Sequence, residues 1–362
     1  MNRDMRVANG AVFERLAQYC ADRDEPIIGA EKVRWVHADD GSDEYLKHLV
    51  IHESIGFGRH RFLAWLERPI GVIEVGDDSG ADEVAHEASH FIGLIGFDHD
   101  PDHAELPVRD CVWGFDVCLI AELPVRPNKA PIAIRDIVEA ASKGDVGYIG
   151  HENDSVFSLF PSIKVLASLT PIDQTAIWAI FLRLCVDESR LGTSWIESDL
   201  ADLLVVLAEL NVPSLPYREL CRAVFDMDPR SLYMSLYRCI EATYAYETAT
   251  KVGTALSVGR AWYEIAASLD AEMGWHPPEA QSLNGALSRA YRQDLEEICD
   301  CLGATIGKDL DVSAGKAIYK LRNQIVHYRP TNDPLNMEEM DWNRLCELLL
   351  TISLDVFDAA YG

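Results

Sequence analysis

Residues 313–330 of this chain read SAGKAIYKLRNQIVHYRP, and this stretch predicts one helix of a larger helical assembly. Ile318, Leu321 and Ile325 recur at the spacing of a helix face that packs against a core. Pro330 is expected to end the helix, because proline lacks the amide hydrogen that a continuing helix would use. The chain is therefore expected to be mainly α-helical in this region.

The same helix carries three polar side chains that can act together. At about 100° per residue, Asn323 and His327 lie four apart on one face, and Arg322 lies at its edge. No Asp or Glu occurs from residue 312 to residue 332, although the chain has 32 Lys and Arg against 59 Asp and Glu, a net charge of -27. The sequence thus predicts a local positive patch in an acidic protein.

The order of Arg, Asn, a three-residue spacer and His resembles the signature of the HEPN superfamily of helical ribonucleases. The segment SLYMSLYRCIEATYAYE, from residue 231, resembles the long first helix of that fold, with Leu232, Leu236 and Ile240 on one stripe. The resemblance covers roughly the C-terminal third of the chain. It implies an antiparallel helical bundle that forms a homodimer, with the two motif helices lining one cleft.

What the resemblance implies for activity is RNA cleavage that needs no metal or other cofactor. His327 would take the proton of the 2′-hydroxyl or give one to the 5′-oxygen, since imidazole titrates near neutral pH. Arg322 would hold the scissile phosphate, and Asn323 would orient His327 or the phosphate. Three further cations are expected to contact the RNA: Lys316, Lys320 and Arg329.

Two non-catalytic interpretations of these residues stay open. Arg322 could pair with an acidic residue on a neighbouring helix, and His327 could satisfy carbonyl groups at the end of its own helix. Some members of the superfamily also keep the fold as a binding or dimerisation module. A non-catalytic helical interaction module is therefore one alternative function.

A different chemistry is suggested by residues 86–90, HEASH, which form an HExxH string. On a helix, His86 and His90 could both bind zinc while Glu87 activates a metal-bound water, as in a zinc metallopeptidase. Apolar residues at helical spacing over 84–95 favour that helix, although residues 91–97 could instead be a strand. Gly96 stands where a metzincin-like pattern has its third histidine. The nearby candidates for a third zinc ligand are Asp98, His99 and His103.

The chain is expected to have three parts: an α+β N-terminal domain over 1–165, a helical connecting region over 166–225, and the HEPN-like bundle over 226–362. Short β-branched runs predict strands at 69–75 and 117–123. Helix starts are predicted at Thr170 with Pro171 and at Ser194 with Glu197, and a helical linker region is expected to end near residues 211–216. Five helices are expected in the last part, the fifth capped by Asn336 and Glu339.

Composition narrows the setting of the protein. The nine cysteines are scattered and no secretory signal is evident, which predicts reduced thiols in the cytoplasm. No apolar run is long enough to cross a membrane. Since sensing domains are commonly fused to RNases in bacterial immunity, the chain is expected to be a toxin or antiviral effector, with an antitoxin or a phage-derived trigger as a further partner.

Overall fold

The computed structural model of the chain describes residues 5–37, 49–68, 90–101, 108–109, 113–168, 170–174, 176–212, 214–327 and 339–361. The chain divides into two compact units, Met1–Asp173 and Gln174–Gly362. The first unit mixes helices with an antiparallel sheet, and the second is helical in its described residues. The predicted fold class, mainly α with a smaller α+β N-terminal part, is confirmed.

The first unit is built from five strands and four described helices. They follow the chain as α1 (Met5–Ala21), β1 (Val50–Phe57), β2 (Arg61–Glu67), β3 (His90–Ile95), β4 (Val108–Arg109), α2 (Trp113–Glu122), α3 (Pro131–Val138), α4 (Asn153–Phe157) and β5 (Ile163–Ser168). The strand order is β1-β2-β3-β5-β4, and all neighbours are antiparallel. In register, Leu63 lies opposite Leu94 and Gly93 opposite Val165.

The sheet centre is buried on both faces, which explains the continuous apolar sequence of β2 and β3. Every residue of β3 is buried. A Cβ atom at Gly93 would lie 2.9 Å from both terminal carbons of Leu119 on α2, so glycine permits the close approach of this helix to the strand. Helix α1 packs against α2 in turn. These contacts place the core of the unit between the sheet and its helices.

One strand prediction for this unit was wrong, and of the helix and the strand left open over residues 84–97, the structure has the strand. Residues 117–123 were predicted to be a strand, but 117–122 lie within α2. Val117, Cys118, Leu119 and Ile120 are all fully buried. A run that is buried all round carries no periodicity that separates a helix from a strand. Conversely, the helical spacing over 84–95 does not give a helix at 90–95, which is β3. The predicted strand at 69–75 lies outside the described residues.

The second unit contains ten described α-helices. They are α5 (Ile177–Glu188), α6 (Ser198–Leu210), α7 (Tyr217–Phe225), α8 (Arg230–Glu241), α9 (Tyr246–Leu256), α10 (Trp262–Met273), α11 (Glu279–Leu287), α12 (Arg292–Cys301), α13 (Leu310–Val326) and α14 (Trp342–Tyr361). A π-helical turn, Ser189–Thr193, extends α5. Helices α6, α8 and α12 pack against α14, and α13 packs against α11 and α12.

The apolar stripe predicted on α8 is confirmed, since Leu232, Leu236 and Ile240 are fully buried. Between them, Tyr233 is also fully buried, and its hydroxyl donates a hydrogen bond of 2.9 Å to the carbonyl oxygen of Ile318 on α13. A buried phenol must find an acceptor to offset its desolvation. This bond therefore fixes α13 against α8.

Several helix boundaries differ from the predictions. Helix α5 begins at Ile177 rather than at Thr170, and α6 begins at Ser198 because the Ser194 hydroxyl donates to the Val224 carbonyl instead of capping a helix. Helix α6 ends at Leu210, close to residues 211–216 where a helical region was expected to end, and Asn211 follows in the left-handed conformation. The described part of 226–362 has seven helices, not five. The segment 231–247, expected to be one long helix, is divided between α8 and α9, and the helix expected near 282–303 is divided between α11 and α12. Of the predicted cap of α14, Asn336 lies outside the described residues.

No disulfide bond joins any two cysteines of the described residues. These cysteines are Cys20, Cys118, Cys185, Cys221, Cys239, Cys299, Cys301 and Cys346, and all but Cys301 are buried. Cys111 lies outside the described ranges. The described helices also include none that is both long and apolar enough to cross a membrane.

Candidate functional site

Helix α13 positions the predicted motif. Ile318 and Leu321 are fully buried and hold the helix in its bundle, which leaves Arg322 and Asn323 on a half-buried face. The helix ends at Val326, earlier than the proline predicted to end it. His327 follows as the C-cap with an extended backbone (φ -110°, ψ 104°), and its N–H donates a 2.9 Å hydrogen bond to the Asn323 carbonyl.

Arg322 lies in a polar pocket within the helical unit. Its Nη1 donates to Oδ1 of Asn323 at 2.9 Å, and its Nη2 lies 3.7 Å from Oε1 of Glu279 on α11. The guanidinium carbon is 5.8 Å from the ring centre of Tyr237 and 6.0 Å from that of Tyr319. The side chain is 23% exposed, and its Nε is buried without a hydrogen-bond partner.

Glu279 is held by two phenols, one on each carboxylate oxygen. Tyr237 donates to Oε1 at 3.1 Å and Tyr319 donates to Oε2 at 3.3 Å. Tyr244 donates to the Tyr237 hydroxyl at 3.1 Å. Burial raises the pKa of both Tyr237 and Tyr244, so the two phenols stay protonated and can donate. Glu279 is the first residue of α11, where a helix terminus favours negative charge.

A second carboxylate, that of Glu241, approaches from the end of α8. Burial raises the pKa of Glu241, the positive charge of Arg322 opposes that shift, and the negative charge of Glu279 adds to it. One arginine thus faces two acids and three phenols. We call this group the Arg322 cluster, and its members are Tyr237, Glu241, Tyr244, Glu279, Tyr319, Arg322 and Asn323.

The structure brings together only part of the predicted site. The side chains of Arg322 and Asn323 are bonded to each other, whereas His327 is exposed at the end of the helix. Within the described part of the chain, no hydrogen bond joins the imidazole to either of them. The Asn323 amide therefore orients Arg322 rather than His327. Lys316 and Lys320 are exposed, and Arg329 lies outside the described residues.

The non-catalytic interpretation of Arg322 also finds support. It predicted an acidic partner on a neighbouring helix, and Glu279 on α11 is such a residue. The absence of acids from the sequence window does not leave Arg322 in an uncompensated positive patch. Ile318 and Leu321, predicted to pack against a core, are buried inside this unit. Val326 is the apolar residue next to His327 that remains 48% exposed.

Sequence reasoning missed the acids and phenols of the cluster. Tyr319 is three residues before Arg322 and so lies on the same helix face, a signal that was present in the sequence. Glu279 follows two prolines, which predict the start of a helix. They do not indicate which other helix packs beside it. Its pairing with Arg322 joins helices that are distant in sequence, and no local pattern encodes it.

The HExxH string does not form a helical metal site at the position that is described. His90 is the first residue of β3, opposite Glu67 and Ser168, and its ring stacks on Trp65 with the centroids 6.1 Å apart. Burial lowers the pKa of His90. His86, Glu87 and His103 lie outside the described residues. Across the parts of the chain that are described, no three His, Cys, Asp or Glu side chains are grouped to hold a metal ion.

Comparisons of the chain with models of protein families, with curated proteins and with solved structures found no match.

Proposed function

We propose that this protein is a metal-independent endoribonuclease of the HEPN type, with Arg322, Asn323 and His327 as its catalytic residues. The observation that carries the proposal is the layout of α13, on which a bonded Arg322 and Asn323 pair is followed one turn later by an exposed imidazole. A group that binds phosphate and a group that moves protons thus occur on one helix end. Exposed Lys316 and Lys320 on the same helix are proposed to contact the RNA backbone, together with Arg329.

The proposed reaction is transfer of the phosphoryl group within the RNA. His327 takes the proton of a 2′-hydroxyl, the 2′-oxygen attacks the adjacent phosphorus, and the bond to the 5′-oxygen breaks. The products are a 2′,3′-cyclic phosphate and a 5′-hydroxyl. Arg322 can stabilise the charge that develops on the phosphate, because its Nη2 is too far from Glu279 for a hydrogen bond and remains available to a phosphate oxygen.

We further propose that two copies of the chain form the complete site. One imidazole accepts a proton while the leaving 5′-oxygen needs another, and a twofold dimer supplies two copies of His327. Val326, exposed beside His327, is the apolar residue available for such a contact. An effector role in toxin or antiphage systems, with the first unit as regulator and an antitoxin or phage-derived trigger as partner, is part of the same proposal.

The deciding experiment is cleavage of mixed tRNA and mRNA by the purified full chain in excess EDTA. Wild-type protein is expected to produce 2′,3′-cyclic phosphate ends, and His327→Ala is expected to produce none. The matched control is His276→Ala, which removes another exposed histidine of the same unit that is 74% exposed in its side chain. Cleavage that persists in His327→Ala would contradict the proposal.

A non-catalytic helical module is the second candidate, and the two phenol bonds to Glu279 are what favour it. In this alternative, acids balance the charge of Arg322, and the cluster has the purely structural role of joining α8, α11 and α13. This alternative predicts that Arg322→Ala and His327→Ala leave every RNA unchanged relative to wild type, while Arg322→Ala lowers the unfolding free energy. A dimer or partner complex that survives both substitutions would favour it further.

A further inference from the structure

The first unit contains a groove that plays no part in the Arg322 cluster. It lies between α1 and the following segment, residues 26–36, and encloses about 1020 Å³. Asn9, Gly10 and Phe13 line the side formed by the helix, and Ile27 and Arg34 line the opposite side. We call this space the α1 groove. Its volume lies at the upper end of the range for sites that bind small molecules.

Arg34 is the unusual residue of this groove. It is only 6% exposed, and both of its hydrogen bonds come from Nη1, to the carbonyl oxygens of Gly29 at 2.9 Å and Lys32 at 3.2 Å. Its Nε is buried with no hydrogen-bond partner. A buried charge of this kind is costly unless an anion compensates it. The free edge of the guanidinium, Nε with Nη2, is the edge that binds a carboxylate or phosphate through two parallel bonds.

Nearby acids within the first unit are committed elsewhere. Glu139 accepts hydrogen bonds from the Ile28 amide and from Arg135. Asp145 accepts from the amide and the hydroxyl of Ser142. Among the described residues, neither acid lies within 4.0 Å of the Arg34 guanidinium. After the hydrogen bonds named above, attraction to Arg34 also lowers the pKa of both acids, but neither forms an ion pair with it. Within the described residues, the positive charge of the groove is therefore only partly compensated.

The charges around the groove favour an anionic ligand. Three further cations line it, Arg6, Lys32 and Lys143, against two acids, Glu14 and Glu31. With the buried guanidinium, the lining carries a net positive charge inside a chain of net charge -27. A phosphate group meets this balance better than a single carboxylate does.

The remaining lining fits a ring. Phe13 and Trp35 line the groove. The Trp35 ring is fixed by the Tyr148 ring, with the ring centroids 4.5 Å apart, and by its indole N–H, which donates to the Ile149 carbonyl at 2.9 Å. A Cβ atom at Gly10 would meet no atom within 4 Å, so α1 leaves open space at its exposed face. Fixed aromatic side chains beside open space can take a flat, apolar ligand body.

We propose that the α1 groove binds a small organic phosphate with a ring in its body, of the nucleoside phosphate class. The phosphate accepts two hydrogen bonds from the Nε and Nη2 edge of Arg34, and the ring packs against Phe13. The proposal does not depend on RNA cleavage by the second unit, and its test does not measure cleavage.

The test is isothermal titration calorimetry of the full chain with the four nucleoside 5′-monophosphates. At least one is expected to bind at least tenfold more tightly than its parent nucleoside and than inorganic phosphate. Equal binding of the nucleoside would remove the role of the phosphate, and equal binding of inorganic phosphate would remove the role of the ring. Binding of an acidic peptide but of no nucleotide would overturn the proposal in favour of a protein ligand.

Two variants locate the site. Arg34→Lys keeps the charge but loses the paired donors, and Gly10→Phe fills the open side of the groove; each is expected to weaken nucleotide binding about tenfold. Val7→Phe is the matched control, since Val7 is on the same helix, 67% exposed and outside the groove lining. If Arg34→Lys does not fold, Gly10→Phe decides. Affinity unchanged in Gly10→Phe would overturn the proposal.

Discussion

Two largely buried arginines, Arg322 in the helical unit and Arg34 in the α+β unit, differ in how their positive charge is compensated. Each has a buried Nε without a hydrogen-bond partner. Arg322 has Glu279 at 3.7 Å and two aromatic rings within 6.0 Å, whereas the hydrogen bonds of Arg34 go to backbone carbonyls. The arginine of the proposed catalytic site is therefore the one with an acidic partner. The difference teaches that a motif marks a family's chemistry and does not mark where a fold leaves an anion site open.

The largest effect expected from this comparison concerns catalysis. Arg322→Ala removes the group proposed to stabilise the phosphate and should lower the rate of RNA cleavage by about 10² to 10³-fold. Arg34→Ala should leave single-turnover cleavage within about twofold if its groove serves only ligand binding. Single-turnover kinetics on one defined RNA would measure both. An equal loss in the two variants would remove the distinction between the two arginines.

The next effect is on stability and tests the phenols that surround Arg322. Tyr237→Phe removes the donor to Glu279 and the acceptor of the Tyr244 hydroxyl, which leaves a buried donor unpaired. The unfolding free energy should fall by about 2 kcal/mol. Urea denaturation would measure it, with Tyr263→Phe as control because Tyr263 is 52% exposed. A loss no greater than that of the control would mean that the phenol bonds do not stabilise the cluster.

A smaller difference should separate the two arginines when each becomes methionine. Arg322→Met removes a positive charge that attracts both Glu279 and Glu241 and leaves Arg238 as the remaining cation near Glu241, which should cost about 1 to 2 kcal/mol. Arg34→Met removes a buried charge that has no ion-pair partner, along with two hydrogen bonds, and these effects offset each other to within about 1 kcal/mol. Chemical denaturation of both variants gives the comparison. A larger loss in Arg34→Met would show that its backbone bonds outweigh its charge.

The smallest expected effect depends on pH. Because burial raises the pKa of Glu241, its protonated form stabilises the fold, fully so below the ordinary pKa of the carboxyl. That stabilisation is lost as the pH rises through the raised value. Glu241→Gln should therefore gain stability relative to wild type between pH 4 and pH 7, by less than about 1 kcal/mol because the side chain is partly exposed. Parallel stability curves for the two proteins would exclude this role for Glu241.

Part of the fold could be predicted from the periodicity of the apolar residues. Leu232, Leu236 and Ile240 could be placed on one buried face because only one face of α8 is apolar. Residues 117–123 were wrongly predicted to be a strand, because the buried residues of α2 cover its whole circumference and a continuous apolar run fits a helix or a strand equally well.

Part of the candidate site could also be predicted from the sequence. Arg322 and Asn323 are adjacent in sequence, and their contact follows from one helix. The pairing of Arg322 with Glu279 depends on how α11 packs beside α13, and the α1 groove depends on how residues 26–36 return along α1. Neither arrangement leaves a local pattern, so both appear only with the fold.

The phenol bonds in the Arg322 cluster have a direction. Tyr244 donates to Tyr237, and Tyr237 donates to Glu279, so every hydroxyl hydrogen points toward the carboxylate. Such a chain is polarised along its length, and each bond strengthens the next. The ionised carboxylate is its terminal acceptor, and an amide or a protonated acid at Glu279 would allow the hydrogens to turn the other way. The charge of one side chain at the start of α11 thus sets the orientation of two hydroxyl groups, one of them beyond its own reach.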